Sequence, residues 1–156
     1  DTVANNIHLW QGNIEDDPAF RERVMHAAER AHAHHFIEDL PNGYQTQVGD
    51  RGVRLSGGQQ QRLFVARELF KQPNVLLLDE ATSDLDTASE QHIQNSVDAL
   101  QGEVTVVIIA HRLSTVKNAD RVYVLDQGRV IESGSYHELR SREDGTFREM
   151  VEMQSL

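Results

Sequence analysis

The chain has 156 residues, 38% of them hydrophobic and 26% charged, with a net charge of −10 and no cysteine. A globular chain of this length buries roughly 70% of its unfolded surface, and its acidic balance argues against a whole-surface role on nucleic acid or anionic membrane, both of which demand a basic face. Disulfide and thiolate chemistry are excluded, and the apolar runs at 75–78 and 104–110 are far too short to span a bilayer.

The first residues, Asp-Thr-Val, show no basic n-region of a signal peptide and no initiator methionine, and read as the start of a piece of a longer chain. Asp17 before Pro18 marks a helix start, cap followed by first helical position. Phe20, Val24, Ala27, Ala28 and Ala31 continue at helical spacing. A short helix is predicted over 34–39, a turn at Pro41-Asn42-Gly43 and a loop over 45–55. Ser56 caps the next helix, with Gln59 at the capping-box spacing. Leu63, Ala66 and Phe70 form its inner stripe, and Pro73 follows its end. The apolar run from Val75 to Asp79 predicts a buried strand ending in carboxylates. Thr87 and Glu90 repeat the capping-box spacing ahead of Ile93, Val97 and Leu100. A second buried strand is predicted over 104–110, and a short helix near Ser114. The runs 121–125 and 129–132 flank Gln127-Gly128 as a hairpin. Ser135 with Glu138, and Thr146 with Glu149, cap two closing helices. Helices followed by β-α-β-α-β-β-α-α give an α/β fold, a parallel sheet covered by helices, whose ligands sit at the C-terminal strand ends.

Three places carry chemistry. LSGGQQQR, residues 55–62, sets two glycines at a helix start, where bare backbone N–H groups and the helix dipole suit a phosphate. The bland alternative is an ordinary capping box, but a cap does not need two glycines, each costing up to about 1 kcal/mol against alanine. VLLLDE, residues 75–80, brings adjacent carboxylates out of a strand: Asp79 suits magnesium held through water, and Glu80 suits an attacking water. Either could simply be a polar strand end. His111 ends the next strand and suits a γ-phosphate or that water, or is a surface histidine. His26, His32, His34 and His35 cluster in one helical stretch, with His32 and His35 three apart; no carboxylate or cysteine pattern completes a metal site there, and a solvated face is expected.

In this order and spacing the motifs closely resemble the nucleotide-binding domain of ATP-binding-cassette (ABC) transporters. LSGGQ (55–59) matches the family signature, VLLLDE (75–80) its Walker B motif with the catalytic glutamate, SDLD (83–86) its D-loop and AHRLST (110–115) its switch-histidine region. GYQTQVGDRG (43–52) resembles the loop specific to exporters, and TVANNI (2–7) the stretch after the Q-loop. The resemblance implies a partial P-loop NTPase-like (RecA-like) parallel-sheet core with an α-helical subdomain. It places the helical, signature-bearing subdomain at 1–72 and the C-terminal half of the ATP-binding core at 73–156.

The Walker A motif G-x-x-x-x-G-K-[ST] is absent, since the only lysines, Lys71 and Lys117, do not follow glycine. The adenine-stacking aromatic and the Q-loop glutamine are absent as well. By the resemblance, the Walker A strand belongs between the strand ending at His111 and the one at 121–125. Its lack implies an empty slot with exposed edges and a marginal, swapped or aggregation-prone fragment.

The family also pairs two such domains head to tail. That implies Ser56, Gly57, Gly58 and Gln59 on the ATP of a partner chain, and Ser83 and Asp86 at the dimer interface. Asp79 as the water-mediated magnesium ligand, with Glu80 and His111 as catalytic residues, would serve the nucleotide of the chain's own Walker A. ATP and Mg2+ are the implied cofactors. The implied partners are a second nucleotide-binding domain and a transmembrane domain met through loop 43–52, at the cytoplasmic face of a membrane, with no nucleic acid and no direct membrane insertion. Asp84 and Glu68 depart from the family's usual small residue and alanine. Two other readings stand beside an exporter ATPase: a non-catalytic dimerisation or binding fragment, and a chromosome-maintenance or DNA-repair ATPase, which the acidic balance and the lack of a heptad coiled coil disfavour.

Overall fold

Thr2 opens the first helix in the computed structural model, which describes residues 1–50, 52–79, 87–110 and 112–154. Its hydroxyl accepts the Asn5 N–H at 3.1 Å and starts α1 (Val3–His8), an element too short for its periodicity to show in the sequence. α2 (Pro18–Arg30) starts as expected, the Asp17 carboxylate accepting the N–H groups of Ala19 and Phe20. α3 (His34–Glu38) buries Phe36 and Ile37. α4 (Gly57–Phe70) turns Leu63, Val65, Ala66, Leu69 and Phe70 inward and packs against α1, α2 and α5 (Thr87–Asp98).

Arg67 fastens that packing. Its Nε donates to the Asn6 carbonyl at 2.6 Å and its Nη2 to the Asn6 side-chain oxygen at 3.1 Å, while the guanidinium lies 5.1 Å from the centre of the Phe64 ring. Beside it, His8 is buried edge-on to Phe20, with ring centres 5.1 Å apart. Its Nδ1 has no hydrogen-bond partner. Burial lowers the imidazole pKa below its ordinary 6.5.

The segment expected as a loop is tied down through its backbone. Val3 N–H donates to Thr46 O, Val48 N–H to Asp1 O and Val53 N–H to Gln47 O, and bridges join Thr2 to Gln47 and Val48 to Val53. A Cβ on Gly52 would run into the Gln47 carbonyl, so glycine is required by close approach.

β1 (Val75–Asp79) pairs with β2 (Thr105–Ile109) after the crossover through α5, as parallel strands require. Neither strand is buried on both faces, contrary to the sequence expectation. Leu76 and Leu78 point inward, but Val75 and Leu77 are 59% and 61% exposed, and Val107 and Ile109 are also exposed. The apolar composition is that of strands covered on both sides, and only one side is covered here.

Contacts divide the chain into two units, Asp1–Val107 and Ile108–Leu156. In the second, a 3-10 turn (Leu113–Val116) precedes β3 (Val122–Asp126) and β4 (Arg129–Gly134), an antiparallel pair. Gln127 and Gly128 both take left-handed φ, 45° and 76°, the turn that fits two-residue hairpins. α6 (Tyr136–Arg140) carries the expected Ser135–Glu138 capping box. α7 (Thr146–Gln154) differs from expectation: Thr146 is its first residue, and Glu132 on β4 accepts the N–H groups of Thr146 and Phe147 at 2.8 and 3.2 Å. A carboxylate from a distant strand supplies the cap there, and local spacing gives no sign of it. Leu113, Val116, Val124, Tyr136, Leu139, Phe147 and Val151 form this unit's core.

Three outcomes follow in urea or thermal denaturation. Arg67→Ala should cost about 2 kcal/mol, the range for hydrogen bonds made by a charged group. Gly52→Ala should cost roughly 1–3 kcal/mol from overpacking. The unfolded chain takes up the His8 proton before the folded one does. Stability is therefore unaffected by this group above pH 6.5 and falls as pH drops below that value. His8→Leu should gain on the parent as pH falls from about 7.5 to about 5.5; a constant difference in midpoint would refute this assignment.

Candidate functional site

Ser56 and Gln59 cap the start of α4 reciprocally. The Ser56 hydroxyl accepts the Gln59 N–H at 3.2 Å, and the Gln59 side-chain oxygen accepts the Ser56 N–H at 2.9 Å. Gln60 N–H then donates to Ser56 O, closing the first intrahelical bond. The first turn of a helix leaves four N–H groups without an intrahelical acceptor. The box uses those of Ser56 and Gln59; among the described residues nothing accepts those of Gly57 and Gly58. The Ser56 hydroxyl keeps its hydrogen for a further acceptor.

The approach to this turn is braced from both sides. Gln60 Nε2 donates to the Leu55 carbonyl at 3.1 Å. Arg62 Nε donates to Gly58 O at 3.3 Å, and its Nη1 reaches His32 O at 3.0 Å while the guanidinium lies 4.9 Å from the centre of the Phe36 ring. Ser56 and Gly57 are exposed and Gly58 is buried. An exposed helix start with two unclaimed N–H groups and a hydroxyl can accept an anion. At the other end of α4, Glu68 pairs with Lys71 at 2.8 Å on the surface, a contact of small energetic weight.

Asp79 stands exposed at the C-terminal end of β1, where an α/β sheet presents its ligands. Glu80, Ser83, Asp84, Asp86 and His111 lie outside the described residues. The signature residues and Asp79 are on different elements, and among the described residues no hydrogen bond or ion pair joins them.

In loop 43–52, Gly43–Gln45 forms a 3-10 turn. The Tyr44 hydroxyl lies 2.7 Å from His34 Nδ1, and burial holds its phenol well above the ordinary value of 10. Ile14, Glu15, Arg21, Met25, Glu38 and Tyr44 line a cavity of about 350 Å3 beside the loop. Sequence reading missed both this hydrogen bond and the reach of Arg62 to His32, because each joins residues distant in the chain with no local signal.

Comparison with known proteins gives a consistent result. A family model described as ABC transporter matches residues 2–83, more than half of the chain. An ATP-dependent lipid A-core flippase from Methylobacillus flagellatus is 53% identical over 154 residues, covering 99% of this chain and 26% of the flippase. ABC transporter B family member 1 from Dictyostelium discoideum is 47% identical over 158 residues, covering 97% of this chain and 17% of that protein. The solved structure of a bacterial Atm1-family ABC exporter with ATP bound superposes with a TM-score of 0.82 at 45% identity, over 100% of this chain and 26% of that one. The chain thus spans about a quarter or less of the length of these relatives, and it belongs to the ABC transporter family.

Proposed function

We propose that the chain is the C-terminal part of the nucleotide-binding domain of an ABC exporter, and that it contributes to two ATP sites. The observation that carries this reading is the start of α4. Its capping box leaves the N–H groups of Gly57 and Gly58 and the Ser56 hydroxyl for an acceptor, which fits a terminal phosphate held chiefly by a partner domain. Gln59 fixes that geometry by holding Ser56.

The second contribution comes from the C-terminal strand ends. An exposed Asp79 carboxylate suits a magnesium ion that keeps much of its water and takes its other ligands from phosphate. Glu80 holds and orients the attacking water, His111 donates to the γ-phosphate, and Ser83 and Asp86 line the dimer contact. Catalysis of this class is positioning and charge stabilisation. Loop 43–52, pinned to α1 through its backbone, serves as the contact for a transmembrane domain at the cytoplasmic face of a membrane. Among the described residues no helix is long and apolar enough to cross one.

For the chain by itself we propose a binding fragment. Val75, Leu77, Val107 and Ile109 on one strand pair, and Tyr123, Leu125 and Val130 on the other, expose apolar surface. Such surface seeks cover, and a Walker A half would supply it together with the missing phosphate loop.

Mixing the chain with a separately produced Walker A half of a close relative tests both statements. ATP hydrolysis should appear only in the mixture and drop on the order of 100-fold or more with Glu80→Gln. Substantial hydrolysis by the chain alone would overturn the reading. Ser56→Ala should cost about 1 kcal/mol of stability through the lost cap and also lower hydrolysis, whereas Glu80→Gln should leave stability unchanged.

A further inference from the structure

The stretch LSGGQQQR carries one cation, Arg62 at its far end, and the functional reading above gives it no part. The side chain is half-buried and is held from three directions. Its Nε donates to Gly58 O, one turn back, at 3.3 Å, and its Nη1 donates to His32 O at 3.0 Å. The guanidinium stands 4.9 Å from the centre of the buried Phe36 ring. His32 offers its carbonyl from a tight turn: φ is +49°, a region few residues other than glycine enter, and its N–H donates to Glu29 O at 2.9 Å. Two carbonyls in different directions and an aromatic face suit the planar guanidinium fork, and an ammonium cannot meet all three. The charge is thus fixed against the first turn of α4.

We infer that Arg62 is a positioning residue for the proposed phosphate contact, polarising the first turn of α4 so that the Ser56 hydroxyl becomes a stronger donor. This rests on the reading that the start of α4 meets a terminal phosphate. The path is short. Gly58 O and the Gln59 N–H belong to one planar peptide unit, across which charge is delocalised. A cation at the oxygen draws electron density toward it and makes the N–H a better donor. That N–H holds Ser56 Oγ at 3.2 Å. Density drawn from Oγ leaves the hydroxyl hydrogen more positive, and bonds in such a chain strengthen one another by about 10–30% each. A second chain ends on the same residue. Gln60 Nε2 holds Leu55 O at 3.1 Å, and the N–H of that peptide, on Ser56, donates to Gln59 Oε1 at 2.9 Å. This second chain starts from a neutral amide, whereas the first starts from a charge. The stretch thereby brings positive charge to bear on a phosphate although it holds no lysine.

A double-mutant cycle on ATP hydrolysis by the intact protein that carries this chain tests the inference, with thermal midpoints to show that each variant is folded. Arg62→Gln should lower kcat/KM on the order of 10-fold, the weight of a hydrogen bond made by a charged group. With Ser56→Ala already present, the same change should cost less than about 2-fold. Affinity for ADP, which lacks the terminal phosphate, should stay as in the parent. A brace with a purely structural role would lower hydrolysis by the same or a larger factor in the Ser56→Ala background and would weaken ADP binding as well. Either result overturns the inference, as does an Arg62→Gln variant as active as the parent. Should Arg62→Gln not fold, Arg62→Lys runs the same cycle: part of the activity should be lost in the parent and none beside Ser56→Ala, and equal losses again refute it. Failure of the underlying phosphate reading looks different, because Ser56→Ala by itself then leaves hydrolysis unchanged.

Discussion

The bond from Arg67 to the Asn6 carbonyl is the point on which the first unit turns. A guanidinium that leaves water gains little unless its donors find acceptors. Asn6 offers two, a backbone carbonyl at the end of α1 and its own side-chain oxygen. The pair therefore fixes the rotation and the height of α1 against α4. Ile7 and His8 are then pressed toward α2, and Phe20, Phe70 and His8 close edge to face, with Arg23 covering two of the rings. The unpartnered Nδ1 of His8 is the cost of that closure. It is tolerable because a neutral imidazole loses far less on burial than a charged one.

A helix held this firmly at its body presents a fixed N-terminus. That matters for the start of α4, because an anion is bound best by donors that need no reorganisation when it arrives. Ser56 and Gln59 satisfy one another, Gln60 holds Leu55, and Arg62 holds both Gly58 and the turn after α2. Among the described residues the two glycines, costly in a first turn, stand beside groups that hold one another, and their own N–H groups and the Ser56 hydroxyl hydrogen are left. Under the proposed reading, that cost is offset by the phosphate of a partner's nucleotide.

What the sequence made legible were features written over a few residues. Asp17-Pro18, the Ser56–Gln59 and Ser135–Glu138 boxes and the Gln127-Gly128 turn each depend on groups within four positions, and each formed as read. The signature and Walker B motifs were legible for the same reason and led to the family. Features that join distant positions had no such signal. The Glu132 cap of α7, the Arg67–Asn6 bond, the Tyr44–His34 contact and the reach of Arg62 to His32 depend on the tertiary fold. α1 fell short for a different reason: six residues do not complete two turns, so no periodicity could declare it.

The strands show where composition and burial part company. Val75, Leu76, Leu77 and Leu78 read as one buried run, yet alternate residues face outward. A half-covered strand normally alternates polar with apolar, because water penalises the exposed half. β1 and β2 keep apolar residues on the uncovered side as well, and the β3–β4 pair does so at Tyr123, Leu125 and Val130. Sequence of this kind suits a sheet with a further layer on it. Under the proposed reading chemistry points the same way, since Asp79 and the signature would each supply part of a nucleotide site and neither supplies a phosphate-cradling lysine. On that reading the uncovered apolar side of the β1–β2 pair and the polar chemistry at the end of β1 call for the same complement, a segment carrying both a core layer and a phosphate loop.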